Sequence, residues 1–167
     1  MFRTIADFEK LWDDEVKATQ RTYDAITDAS MSQAVHNDHR TLGRIAWHTA
    51  GTIKEMMEKT GLHVDGPAEN APVPKTAKEI AEQFAKSAKS LADVVKKSWT
   101  DESLLTMDDM YGMQWMRGQT LMFLVLHQAH HRGQMNVLMR QAGLKVPSIY
   151  GPTLEAWAEY QMEPPAV

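Results

Sequence analysis

Residues 118–141, GQTLMFLVLHQAHHRGQMNVLMRQ, decide how the chain folds. Leu124, His127, His131, Gln134, Met135 and Leu138 recur there at the three- and four-residue spacings of one helical stripe. An α-helix turns once per ~3.6 residues, so His127 and His131, at i and i+4, project from the same face. Both stand in line with apolar residues that must face a core. The segment closes at Gly143, a natural left-handed stop. His130 lies ~60° around the helix from His127, beside the stripe. Arg132 and Gly133 point to the opposite side. A mid-helix Gly costs about 1 kcal/mol relative to Ala, so Gly133 reads as room for a close helix or dimer contact.

Upstream, the same periodicity supplies three partners for this helix. Ile5, Phe8, Trp12, Val16, Tyr23 and Ile26 mark a first helix over residues 4–28. The polar stretch from Asp28 to Asp38 is a connection. A second helix fits Thr41 to Lys59, with Leu42, Ile45, Thr49, Ile53, Met56 and Met57 inward and Gly61 as its stop. Residues 61–75, with two Gly and three Pro, form a long irregular crossover. Thr76-Ala77-Lys78-Glu79 matches a capping box, and a third helix runs from it to Ser98 with Ile80, Phe84, Leu91, Val94 and Val95 inward. Residues 99–117 read as an irregular excursion or short hairpin, and a short helix follows Thr153. No internal repeat and no central-sheet strand is visible. The expectation is an all-α four-helix bundle with a short C-terminal helix, one domain over residues 1–167.

Composition narrows the function classes. The chain has 167 residues, 43% hydrophobic and 24% charged, as in ordinary globular proteins. Net charge is −4 and the Lys and Arg residues are scattered, which argues against a nucleic-acid surface. The acidic N-terminal stretch lacks the apolar run of a signal peptide, and no segment reaches membrane-spanning length, so the chain is expected in the cytoplasm. It contains no cysteine, which excludes disulfides, thiolate ligands and a cysteine nucleophile.

Metal sites in bundles are built from side chains on facing helices. An i, i+4 histidine pair on a buried stripe can grip one divalent ion, whereas a lone core histidine more often hydrogen-bonds to a neighbour. His48, among Ile45, Ala46, Trp47 and Ile53, is the best third ligand, and the small Ala46, Ala50 and Gly51 would let a neighbouring helix approach. Three imidazoles leave coordination positions open for water or substrate, the mark of a catalytic rather than a structural site. His36, His39 and His63 fall in polar or irregular segments and are expected to be solvated. Trp47 or Trp115 can wall a pocket, and Tyr111, Arg117 and Gln134 are candidates to orient a substrate. Met107, Met110, Met113 and Met116 fit a malleable wall or interface better than a copper site.

IAWHTAG at 45–51, HQAHHRGQ at 127–134 and VPSIYGP at 146–152 together resemble the DinB-like (YfiT-like) family. The resemblance implies an up-down-down-up bundle with its long crossover between the second and third helices. It implies ligands at His48, His127 and His131 for a divalent metal such as Zn or Ni, and a homodimer. It also implies action on a small molecule, as an enzyme that transfers or acts on a low-molecular-weight thiol; the three-histidine constellation itself leaves a metal-dependent hydrolase as the alternative. The competing expectation is a stress-related, non-enzymatic dimeric binding or scaffold protein whose metal is structural or vestigial. A third is a helical module with three ordinary buried histidines.

Overall fold

A computed structural model of the chain describes residues 1–68 and 70–166. It contains four long helices, α1 (Ile5–Asp24), α2 (Leu42–Glu58), α3 (Ala77–Ser98) and α4 (Arg117–Gln141), with a two-stranded sheet, β1 (Met107–Met110) and β2 (Met113–Met116), before α4. Three short 3-10 segments, Asp28–Ser32, Glu102–Leu105 and Leu154–Tyr160, complete it.

Each start has a local cause. The hydroxyls of Thr4, Thr41 and Thr76 accept from the amides of Asp7, Arg44 and Glu79, replacing the helical partners that a first turn lacks. The capping box at Thr76 and Glu79 forms as the sequence predicts. Gly61 and Gly143 sit at φ +76°, in the left-handed region. The first helix ends earlier than its apolar stripe suggests. Thr27 and Ser30 close their own capping box there, so the backbone turns into the Asp28–Ser32 segment. The tail after Thr153 is 3-10 rather than α-helical.

The excursion before α4 is a hairpin. Tyr111 and Gly112 occupy its two-residue loop at φ 59° and 80°, the type I′ geometry that matches strand twist. The four methionines are spread along it: Met107 pairs with Met116, Met110 with Met113, and only Met110 is fully buried.

Packing sets the helix directions. Phe2 donates to the carbonyl of Gly118 and Arg132 reaches Glu15, so α1 runs parallel to α4. Lys96 meets Glu9 and the Trp12 indole donates to the carbonyl of Ala88, so α3 runs against α1. Arg117 reaches the carbonyl of Thr60 and Gln128 that of Thr49, so α2 runs against α4. The order is up, down, down, up, with α1 and α2 each packed on both α3 and α4. This arrangement forces the long crossover after α2, because α2 and α3 point the same way. Tyr23 crosses the core between them, stacking on Phe84 at 4.6 Å and donating to the carbonyl of Ala46 at 2.7 Å. A Cβ on Gly118 would lie 2.3 Å from the carbonyl oxygen of Phe2, so only glycine admits that approach.

Two expectations about small residues need correction. Gly133 faces open space, with nothing among the described residues within 4 Å of a Cβ placed there, so it permits no close helix contact within the chain. The Cβ position of Gly51 faces Pro67 in the crossover rather than a neighbouring helix. Ala46 and Ala50 are fully buried.

Candidate metal centre

The i, i+4 geometry of α4 and the antiparallel course of α2 bring His48, His127 and His131 together. One ring nitrogen from each lies within 4.8 Å of the others. The rings meet edge to face, with centroids 4.3 Å apart for His127 and His131, 4.9 Å for His48 and His131, and 5.3 Å for His48 and His127. The Nε2 atoms of His127 and His131 are 3.1 Å apart. Two nitrogens bound to one tetrahedral zinc stand about 3.3 Å apart, from bond lengths of ~2.0–2.1 Å. The pair already has the spacing of shared ligation.

Protonation supports the same geometry. The side-chain oxygen of Gln134 lies 2.7 Å from Nδ1 of His131. It holds the proton on that nitrogen and leaves the Nε2 lone pair directed at the centre. Nδ1 of His127 is buried and has no hydrogen-bond partner among the described residues. Burial pushes His48 and His127 down to about 4, aided for His48 by the positive field of Arg40, and for His127 by His131 and His48. Burial also lowers His131, against the hydrogen bond that its Nδ1 donates to Gln134. All three rings are therefore neutral at pH 7, the state that ligates metal. The donor set fits a divalent ion.

Two cavities flank the rings. One, of about 450 Å³, is lined by Thr52, Met56, Tyr111, Trp115, Phe123 and His127, among others, and its aromatic wall is built by Trp115 stacked on Phe123 at 4.6 Å. The second, of about 360 Å³, reaches His131 from the other side. Of the two tryptophans considered as pocket walls, Trp115 therefore lines one. Trp47 does not: it is buried and its indole donates to the carbonyl of Ala71, pinning the crossover. Tyr111 lines the first cavity and donates to Glu55 at 2.7 Å. Arg117 pairs with Asp108 at 2.9 Å and lies over Trp99, which makes it a hairpin anchor. Gln134 holds His131, and its amide nitrogen lies 3.1 Å from Nε2 of the exposed His130. His36 and His39 are exposed on the loop before α2, and His63 is exposed in the crossover.

Arg132 is the residue that periodicity undervalued. It does point away from the histidines, but into α1, where it is 2% exposed. Its guanidinium donates to Glu15 at 2.9 Å, to Thr19 at 2.8 Å and to the hydroxyl of Tyr150, which itself donates to Glu15 at 2.5 Å. The HHR and IYGP segments thus meet in space where the Tyr150 hydroxyl hydrogen-bonds to both members of the buried Arg132–Glu15 pair, an association no local spacing reveals.

The comparisons agree with this architecture. A DinB-like protein from Bacillus cereus ATCC 10987, known from its crystal structure, superposes with a TM-score of 0.87 at 43% identity, covering 90% of this chain and all of that one. A second DinB-like protein, YjoA of Bacillus subtilis, is 14% identical with a TM-score of 0.60, over 87% of this chain and 99% of that one, and shares the fold. The uncharacterized protein YrdA of Bacillus subtilis strain 168 is 45% identical over 165 residues, 99% of each chain. The DinB family profile matches residues 1–164, and the chain belongs to the DinB family.

Proposed function

We propose that His48, His127 and His131 hold one divalent metal ion, Zn or Ni, and that the protein is a metal-dependent enzyme acting on a small molecule, as a thiol-dependent transferase or a hydrolase. The observation that carries this reading is the pair of Nε2 atoms at 3.1 Å, one of them released toward the centre by Gln134. When bound, such an ion supplies an acidified water or thiol near neutral pH. The chain has no cysteine, so a thiol nucleophile would come with the substrate or a low-molecular-weight cofactor.

The protein's own residues supply the rest. Gln134 keeps the proton of His131 on Nδ1, and Trp115 and Phe123 give the cavity beside His127 an aromatic wall. A functional ion is favoured over a structural one because the apolar core is continuous through all four helices without it. Cytoplasmic location and a homodimer belong to the same reading. Light scattering tests the dimer: a mass twice that of one chain is expected, and a monomer refutes it.

Metal analysis of the purified chain tests the centre. One equivalent of divalent metal is expected in the wild type, with loss in the His127→Ala variant and retention in His130→Ala. A folded wild type that binds none, or a His127→Ala variant that binds normally, refutes it. Turnover of a thiol with an electrophile, abolished by chelation, tests the activity.

A further inference from the structure

We propose that the cavity beside His131 selects an anionic small molecule, a carboxylate on an apolar stem, with Arg40 as the residue that recognises its charge. This rests on the metal-centre reading and names the substrate class for that site.

The cavity of about 360 Å³ lies within the ~300–1,000 Å³ range of small-molecule pockets. Ile45, Val137 and Leu138 give it apolar walls, His131 forms one end, and Arg40 and His39 stand on its rim. Among the described residues no acidic side chain lines it. Nor does Arg40 make a hydrogen bond or ion pair among the described residues, so its guanidinium is available to a ligand.

Charge balance points the same way. The field of Arg40 reaches all three ring systems, and Arg44 adds to it at His48. No carboxylate acts on any of the three. Yet the chain as a whole carries a net charge of −4. Three neutral imidazoles leave the two positive charges of a divalent ion uncompensated, and two arginines deepen the excess. A ligand that is itself an anion offsets such an excess of positive charge. The apolar walls then accept the stem, and the bidentate fork of Arg40 accepts the carboxylate.

The test compares hexanoate with hexanamide, a neutral molecule of the same shape. Binding to the full chain is measured by calorimetry, once metal-loaded and once after chelation. Metal content is measured in the same samples. Tenfold or greater preference for hexanoate is expected in the loaded wild type, from a charge-assisted hydrogen-bonded pair of ~1.5–3 kcal/mol. The preference should fall severalfold in Arg40→Gln, return in part in Arg40→Lys, and leave the metal content unchanged. Equal binding of acid and amide by the wild type, or a preference that Arg40→Gln leaves intact, overturns the proposal. A wild type that binds no metal but still prefers hexanoate through Arg40 overturns the metal reading and supports the anion site.

Discussion

Gln134→Leu isolates the second layer of the centre. The substitution keeps the size of the side chain and the helix, and removes the acceptor 2.7 Å from Nδ1 of His131 together with the amide nitrogen that meets the exposed His130. The His131 ring then loses the contact that fixes its proton and its rotation, while its Nε2 must still meet a metal shared with His127. Outer partners of ligating histidines are worth ~10–100-fold in metal affinity. This corresponds to ~1.4–2.8 kcal/mol, at 1.4 kcal/mol per factor of ten. Gln134→Glu keeps the acceptor and adds charge, so its affinity should equal or exceed that of the wild type. Competition with a chromophoric chelator at pH 7 reads both variants. The side chain of Gln134 is exposed, so thermal stability should move little, which separates ligand orientation from folding. An unchanged affinity in Gln134→Leu, with the fold intact, would refute the assigned orientation of His131.

Three further outcomes follow from the structure. His48 and His127 are held near about 4, below the ~6.5 of a free imidazole, so between these values the unfolded chain binds protons that the folded chain excludes. Stability of the metal-free protein should therefore be full above pH 6.5 and fall as the pH drops toward 4; denaturant titrations showing greater stability at pH 5 than at pH 7.5 would contradict this. Arg132→Met strands the buried Glu15 and should cost ~3–5 kcal/mol in urea unfolding, whereas Arg132→Met with Glu15→Leu should recover most of it; additive losses would be the wrong result. Gly118→Ala forces a Cβ to within 2.3 Å of the Phe2 carbonyl, so the N-terminal segment must detach there, and faster amide exchange at Phe2 is expected.

Most of the bundle was legible because its signals are local. The stripe of α4 put His127 and His131 on one face, Thr76 and Glu79 marked the start of α3, and the Pro-rich crossover explained why α2 and α3 can run the same way. His48 was placed by its apolar neighbours. Misreadings came where tertiary context decides. Periodicity shows that Arg132 leaves the histidine face, but not that α1 waits there with Glu15, or that Tyr150 arrives from the tail. Gly133 invited a reading as room for a close helix contact, which the open space beside it within the chain removes. Arg40 gave no signal at all, since a cation in a polar loop acquires meaning only when the loop lies against His131.

The parallel pairing of α1 and α4 also governs how the chain must reach this state. Glu15 and Arg132 are 117 residues apart, and Ile5 meets Asp101 across 96. Contacts this distant in sequence close large loops, and the entropy of closure slows folding relative to bundles joined by short hairpins. On the ribosome α1 emerges before α4, so the Glu15 carboxylate is made 117 residues ahead of its partner Arg132. The first helix must therefore stay unpaired on that side until α4 has been made.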